Sequence, residues 1–575
     1  MNSRLRAAVF VPKVLTVLRE GYGVTTLRRD ALAGLTVAIV ALPLAMALAV
    51  ASGAAPGKGL VTAVVAGFLI SALGGSRFQI GGPTGAFIPV VYAIIATHGF
   101  EGLVLATFMA GALLVLAGLL RLGTLMKYMP QPLITGFTSG IAVIIFASQI
   151  KDLLGLHAGK LPAELIDMLR VLGQHLDSFN PWALSIAAGT GACIVAVRRW
   201  APSAPGFLVA VILASVAVAW LQLPVDTVGS RFGGISSALI IPPLPQVSWD
   251  RVVTLFPAAL TIAFLAGMES LLSAVVADGM TGGRHRSNTE LIAQGIANCA
   301  SALVGGLPAT GAIARTATNI RAGGQTPIAG MIHALLLLAF ILGLSGLASF
   351  VPMPALAGVL VIVAWNMSEH EHFRHTLSAP KGDGAVLLVT FGLTVLVNLT
   401  TAIAVGMVLA AFVFMKRMAD VVQVSSGIQL LDEESDDAAP NDSEMSQRAQ
   451  LPKGVEVFQI SGPLFFGTSN RLDNLLDQFF HAPKVFILRM RLVPIIDASG
   501  VHALNALADR CRHRGIILIL SGLQPQPTRV IEQMSLQPRP GELLFAVDFT
   551  HALMTARALV ADGEAVPASG DGNAK

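Results

Sequence analysis

The sequence predicts an α-helical membrane protein of fourteen segments, arranged as a 7+7 inverted repeat and followed by a small α/β domain. Three observations predict it. The chain has 575 residues, of which 54% are hydrophobic and only 13% charged, whereas soluble proteins carry about a quarter charged residues. Apolar stretches of membrane-spanning length recur from about residue 31 to about 416 and then stop. One motif occurs twice in this apolar region. Residues 81–86 read Gly-Gly-Pro-Thr-Gly-Ala and residues 305–312 read Gly-Gly-Leu-Pro-Ala-Thr-Gly-Ala. Thr84 and Thr310 lie 226 residues apart, and a second echo, Leu35-Thr36-Val37-Ala38 against Leu260-Thr261-Ile262-Ala263, has an offset of 225.

The elements follow in chain order. Residues 1–30 hold Arg4, Arg6, Lys13, Arg19, Arg28 and Arg29 against Glu20 and Asp30. They read as a basic amphipathic lead-in at the cytoplasmic face. Seven spans are expected near 31–50, 59–73, 83–97, 101–121, 131–150, 181–198 and 204–221. Seven more are expected near 252–277, 289–304, 308–320, 326–350, 353–367, 384–398 and 401–415. Together they make up a membrane domain over 31–420. Seven is odd, so the second set enters with the opposite orientation. Arg77, Arg121, Lys127, Arg198, Arg199, Arg284, Arg286, Lys416 and Arg417 then fall on the side of the N-terminus, which places both termini in the cytoplasm.

Residues 421–450 read as an acidic, solvated linker, from Asp432-Glu433-Glu434-Ser435-Asp436-Asp437 onward. Beyond it, 451–562 alternates strand-like and helix-like runs. The strands are Val455–Ile460, Val485–Met490 and Ile516–Leu520. The helices are Ser469–Phe480, Ser499–Arg512 and Thr528–Met534. Residues 563–575 read as a disordered tail.

Composition narrows the function classes. A net charge of +4 with no basic run gives no sign of nucleic-acid binding. Cys193, Cys299 and Cys511 make neither a metal spacing nor a disulfide framework. No Walker loop, zinc spacing or nucleophile–base grouping is present, so neither an enzyme nor a cofactor is expected. The run Glu369-His370-Glu371-His372 resembles metal ligands but reads as a solvated loop.

The two Gly/Pro breaks carry the functional reading. A pair of interrupted segments in matching positions of two halves marks the site of a secondary transporter. A half-helix starting at membrane depth presents free N–H groups and a positive dipole end, which bind anions. Thr84, Gly85, Ala86 and Phe87 from one break are therefore expected to line a substrate site with Gly311, Ala312, Ala314, Arg315 and Thr316 from the other. Gly85 and Gly311 are expected to let backbone approach a ligand. Packing kinks are the plainer reading. Glu269 and Arg315 are the two charges that no loop or span end accommodates, and charges at depth mark functional sites. Arg315 is expected to reinforce the anion site and Glu269 to carry a proton; a structural Glu269–Arg315 pair is the alternative. In the α/β domain, Ser499 of Asp497-Ala498-Ser499-Gly500 stands at or near a helix N-cap, as a plain cap or as a regulatory phosphorylation site.

In combination these residues resemble a known family. Residues 55–60, 73–77, 82–87, 269–274, 312–319 and 366–369 look like the bacterial SulP anion transporters. The tail around residues 497–500 looks like their STAS domain. The resemblance implies a core of segments 1–4 and 8–11 and a gate of segments 5–7 and 12–14. It further implies a substrate between segments 3 and 10, an elevator motion and a homodimer in the bacterial inner membrane. Family substrates are inorganic or dicarboxylate anions: sulfate, bicarbonate, chloride and C4-dicarboxylates. Proton coupling through the acid at the position of Glu269 is typical of some members, and sodium coupling of bicarbonate members. Leu44 stands where many relatives carry Gln, and Asn398 and Ala404 where some carry acids. A membrane-anchored STAS regulator with a cytoplasmic protein partner, an anion channel or exchanger, and a uracil-type carrier are the other readings.

Overall fold

The structure is a computed structural model and describes residues 10–124, 129–159, 161–201, 204–233, 247–426, 451–468, 472, 476 and 483–564. The chain divides into two compact units, residues 1–410 and 411–575.

The first unit is helical. Its first half comprises α1 (Lys13–Glu20), α2 (Val24–Ala51), α3 (Pro56–Leu73), α4 (Ile88–Leu119), α5 (Gln131–Leu154), α6 (Leu165–Gln174), α7 (Pro181–Trp200), α8 (Gly206–Leu221) and α9 (Val228–Phe232). Its second half comprises α10 (Trp249–Thr281), α11 (Ser287–Leu303), α12 (Ile313–Arg321), α13 (Ile328–Leu344), α14 (Met353–Met367), α15 (His370–Leu377) and α16 (Lys381–Leu396), and α17 (Leu399–Val421) begins in it and runs past its last residue. Among the described residues, eight helices are long and apolar enough to cross a membrane. The expected segments 3 and 4 are continuous in α4 but turn at Gly99, whose φ of +70° interrupts the helical path. Segment 10 is the nine-residue α12, about 14 Å long and roughly half the hydrocarbon thickness. His370–Leu377 is a short helix, where the sequence suggested a loop.

Packing sorts the helices into two sets. In one, α4 lies against α10 and α11, while α13 lies against α2 and α3. In the other, α5 lies against α14 and α16, and α7 against α8 and α14. These are the expected core and gate. Small residues bring the core helices together. A Cβ at Gly295 of α11 would lie 2.5 Å from the Gly111 carbonyl of α4, and one at Gly111 would lie 2.6 Å from the Gly295 carbonyl.

The second unit carries a five-stranded sheet. Its strands are β3 (Gln423–Ser426), β4 (Val455–Ser461), β5 (Val485–Leu492), β6 (Ile517–Ser521) and β7 (Leu543–Ala546). Their order is β3-β4-β5-β6-β7; the β3–β4 pair is antiparallel and the rest parallel. Side chains alternate across β5. Phe486, Leu488 and Met490 join the core that holds Leu504 and Leu507 of α18 (Ala498–His513). Val485 and Ile487 join Ala552 and Ala556 of α20 (Phe549–Glu564). Between them in the chain lies α19 (Pro525–Gln533).

Two expectations change here. Strand β3 falls inside the stretch read as linker, because pairing with β4 draws Gln423–Ser426 into the sheet. Residues 427–450, the tail beyond 564 and nearly all of the expected helix 469–480 lie outside the described residues. Asp497, not Ser499, is the N-cap: its Oδ1 accepts from the Gly500 N–H at 2.8 Å, and Ser499 sits in the first turn.

Candidate functional site

The two repeated motifs meet. β1 (Gly81–Gly82) pairs antiparallel with β2 (Thr310–Gly311), with Gly81 opposite Gly311 and Gly82 opposite Thr310. The Ala312 N–H extends the ladder to the Ile80 carbonyl at 2.8 Å. Gly82 has φ of +146°, a conformation that glycine tolerates and most residues do not. Pro83 follows it and has no N–H to continue a helix. The chain therefore leaves α3, crosses the ladder and restarts as a short turn at Gly85–Phe87, running into α4. The second break restarts as α12. Neither first turn has a side-chain cap.

Two second-half charges are anchored on adjacent residues of the first break. Arg315 is 2% exposed and donates from one terminal nitrogen to the Pro83 carbonyl. Among the described residues, its Nε and other terminal nitrogen have no hydrogen-bond partner. Glu269 keeps part of its surface accessible, and its Oε2 accepts from Thr84 Oγ1 at 3.0 Å. No ion pair joins Glu269 to Arg315 among the described residues, so the two charges are held apart by different partners.

Other expected residues take supporting places. Thr316 Oγ1 accepts from the Ile80 N–H at 3.1 Å and from Ser273 Oγ at 3.1 Å, tying α12 to the ladder and to α10. Ala314 is exposed, whereas Ala86, Phe87 and Ala312 are buried. The two glycines serve packing where ligand approach was expected. A Cβ at Gly85 would lie 2.9 Å from Met367 Sδ of the gate helix α14, and a Cβ at Gly311 would collide with the Gln79 amide. An apolar cavity of about 750 Å³, lined by residues such as Leu35, Met46, Val211 and Leu337, contains none of the expected site residues.

Sequence reasoning missed a buried polar scaffold. Glu290 is fully buried in α11, although its position near a span start reads as interfacial. The chain before the first break folds over it. Its Oε2 accepts from the Gly75 N–H at 2.8 Å and the Ser76 N–H at 3.2 Å. Its Oε1 accepts from Ser270 Oγ at 3.1 Å and Gln294 Nε2 at 2.9 Å. Asn298, one turn beyond Gln294, brackets Ala309: its Nδ2 donates to the carbonyl and its Oδ1 accepts from the N–H, both at 2.8 Å. Ser301 donates to the Leu307 carbonyl at 2.7 Å. One face of α11 thus fixes the approach to both breaks. The signal was present as Glu290, Gln294, Asn298 and Ser301 at helical spacing.

Asp30 is also fully buried, not part of an interfacial lead-in. Its Oδ1 accepts from the Gln325 N–H at 2.8 Å and the Thr326 N–H at 3.2 Å, just before α13. Tyr22 Oη donates to its Oδ2 at 3.1 Å; burial, and then the Asp30 charge, push the Tyr22 hydroxyl up to about 12.

Interrupted helices paired through a short ladder, an arginine across the pairing and a separate α/β domain define a multi-pass membrane transporter with an appended α/β module. The chain belongs to the sulfate permease family, whose model matches residues 27–390. A STAS domain matches residues 447–546. The chain is 41% identical to "Putative sulfate transporter YvdB" of Bacillus subtilis (strain 168), covering 92% of this chain and 97% of that protein. It is 30% identical to "Bicarbonate transporter BicA" of Picosynechococcus sp. (strain ATCC 27264 / PCC 7002 / PR-6), covering 94% and 98%. Among solved structures, SLC26A9 shares the fold with a TM-score of 0.83 at 18% identity, covering 98% of this chain and 95% of that one. Both relatives are named as transporters.

Proposed function

We propose that the protein is a secondary active transporter of a small oxyanion in the bacterial inner membrane, coupled to protons through Glu269. The observation that carries the reading is Arg315. It is buried, spans from the second break to the Pro83 carbonyl of the first, and has donors left without a partner. A buried cation with open donors beside two uncapped helix starts suits an anion. Thr84, Gly85, Ala86 and Phe87 frame one side and Gly311, Ala312, Ala314 and Thr316 the other. The names of the relatives make sulfate and bicarbonate the first candidates, and the family resemblance adds C4-dicarboxylates.

The two packing sets support an elevator in which the core carries the site past the gate. Gly85 against Met367 is one contact that such a motion would break. The distribution of basic residues supports both termini in the cytoplasm, and a homodimer is the expected assembly. The STAS domain is assigned to regulation, with Ser499 as its candidate modification site.

The test is uptake into proteoliposomes of sulfate, bicarbonate, succinate and fumarate, with and without an inward proton gradient. Wild type is expected to take up at least one of these, and Arg315→Ala to lose that uptake while remaining folded. Wild-type affinity in Arg315→Ala would remove Arg315 from the site.

A further inference from the structure

Core and gate touch through hydrogen bonds as well as through packing. Tyr92 belongs to α4 of the core. Its ring lies against the turn between α2 and α3, where a Cβ at Gly53 would sit 3.3 Å from Cδ2 of the ring. Gly53 has φ of +77°, a conformation that keeps the position with glycine and free of a side chain. The Tyr92 hydroxyl leaves the core and donates to the Leu161 carbonyl at 2.5 Å. Leu161 lies between α5 and α6, and α6 lies against α5 and α16 of the gate. The Leu161 side chain packs with Met168 and Leu172 of α6. Lys151 Nζ donates to the nearby Gly159 carbonyl at 2.8 Å, which holds this stretch to α5.

A second bond crosses the same boundary. Thr261 of α10 is 4% exposed, and its Oγ1 lies 2.8 Å from Thr400 Oγ1 of α17. The start of α17 belongs with the gate, because a Cβ at Gly406 would lie 2.4 Å from Thr390 Oγ1 of α16 and 2.5 Å from Leu133 Cδ1 of α5. A hydroxyl has one proton. Thr261 uses its own on the Pro257 carbonyl at 2.8 Å, so Thr400 is the donor to Thr261. Thr261 stands in the echoed run Leu260-Thr261-Ile262-Ala263. Its counterpart, Thr36, donates to the Leu32 carbonyl of its own helix at 2.9 Å. One copy of the echo thus reaches the gate, and the other spends its proton within α2. On the expected topology both crossing bonds lie toward the face opposite the N-terminus, since Leu161 follows the fifth span and Thr400 opens the fourteenth.

We propose that the Tyr92–Leu161 and Thr400–Thr261 bonds form a latch that closes the core onto the gate at that face, and that both open whenever the core carries the site toward it. The ring of Tyr92 is fixed in the core and its acceptor in the gate, and the Thr261–Thr400 pair is divided the same way. A hydrogen bond is lost beyond about 3.5 Å, so a slide of the core past the gate by about 1 Å breaks both. Neither bond involves Arg315, Glu269 or the ladder. The latch therefore sets the balance between two positions of the core and leaves the anion contacts alone. The inference rests on the elevator reading.

Two sets of full-length variants test it. In the first, Thr261→Cys and Thr400→Cys are combined and oxidised with copper phenanthroline in proteoliposomes, and uptake of sulfate and bicarbonate is measured before and after reduction. The cross-link is expected to form and to abolish uptake, and reduction to restore it. In the second, Thr261→Cys with and without Tyr92→Phe is labelled in intact cells by a membrane-impermeant maleimide, with the labelling of the native cysteines subtracted. Tyr92→Phe keeps the ring and removes the donor. It is expected to raise the labelling rate at position 261 about fivefold, the worth of one neutral hydrogen bond. If Tyr92→Phe does not fold, Tyr92→Leu takes its place, and misfolding of both makes Tyr92 a packing residue and overturns the latch. Continued uptake by the cross-linked protein means that core and gate need not part at this face, and the elevator reading fails. Blocked uptake with an unchanged labelling rate overturns the latch alone, as does a cysteine pair that does not cross-link.

Discussion

Thr84 Oγ1 lies 3.0 Å from Glu269 Oε2, so a hydroxyl of the first half of the repeat engages the acid of the second. The neighbouring residue, Pro83, accepts from Arg315. The two second-half charges thus read two consecutive positions of the same break without touching each other. A change of protonation at Glu269 alters what Thr84 faces and leaves the Arg315–Pro83 bond in place. That separation suits the proposed coupling, in which Glu269 would take the proton and Arg315 the anion.

Glu269→Gln fixes the side chain in an uncharged form. Anion exchange in the absence of a pH gradient is expected to persist, since Arg315 and the ladder are untouched. Acceleration by an inward proton gradient is expected to vanish. Removing a charge at membrane depth also relieves a cost of about 2.5–3.5 kcal/mol, so the variant should melt no lower than wild type. Uptake by Glu269→Gln that still rises with the gradient would assign the proton to another group.

Glu290→Ala is expected to damage the fold without any specific effect on coupling. It strands the Gly75 and Ser76 N–H groups, Ser270 and Gln294, each at roughly 1–3 kcal/mol. The measurement is folded yield and melting temperature in detergent, where the variant should fall well below Glu269→Gln. Equal melting of the two variants would contradict the scaffold role.

Gly295→Leu forces a side chain into the 2.5 Å approach between α11 and α4. Overpacking of a tight core costs about 1–3 kcal/mol. The variant should melt lower and lose uptake, and Leu at Gly392 of α16, where a Cβ meets nothing within 4 Å, should do neither. The paired melting curves check this.

Asp497→Ala removes the N-cap of α18 and should cost about 1 kcal/mol. Ser499→Ala should stay within roughly 0.5 kcal/mol, since Ser499 does not hold the cap. Hydrogen exchange of the Val501–Leu507 amides in the full-length protein would show faster exchange for the first variant only.

The sequence by itself determined the membrane class, the doubled break and the place of Glu269 and Arg315 within apolar runs. Each of these is written in a local property: apolar length, Gly/Pro interruption at a fixed offset, or a charge within an apolar run. The strands Val455–Ser461, Val485–Leu492 and Ile517–Ser521 were legible for the same reason, since their apolar runs are short and bounded. What tertiary structure decided depends on partners distant in the chain. Glu290 and Asp30 look interfacial along the sequence and are buried because loops from 74–76 and 325–326 supply their donors. Gln423–Ser426 becomes a strand only because β4, some 35 residues on, pairs with it. Gly311 reads as space for a ligand until Gln79 is seen to fill it. Long-range hydrogen bonds and close backbone approaches have no local signature, and they decide which polar residues of this core hold the breaks in place.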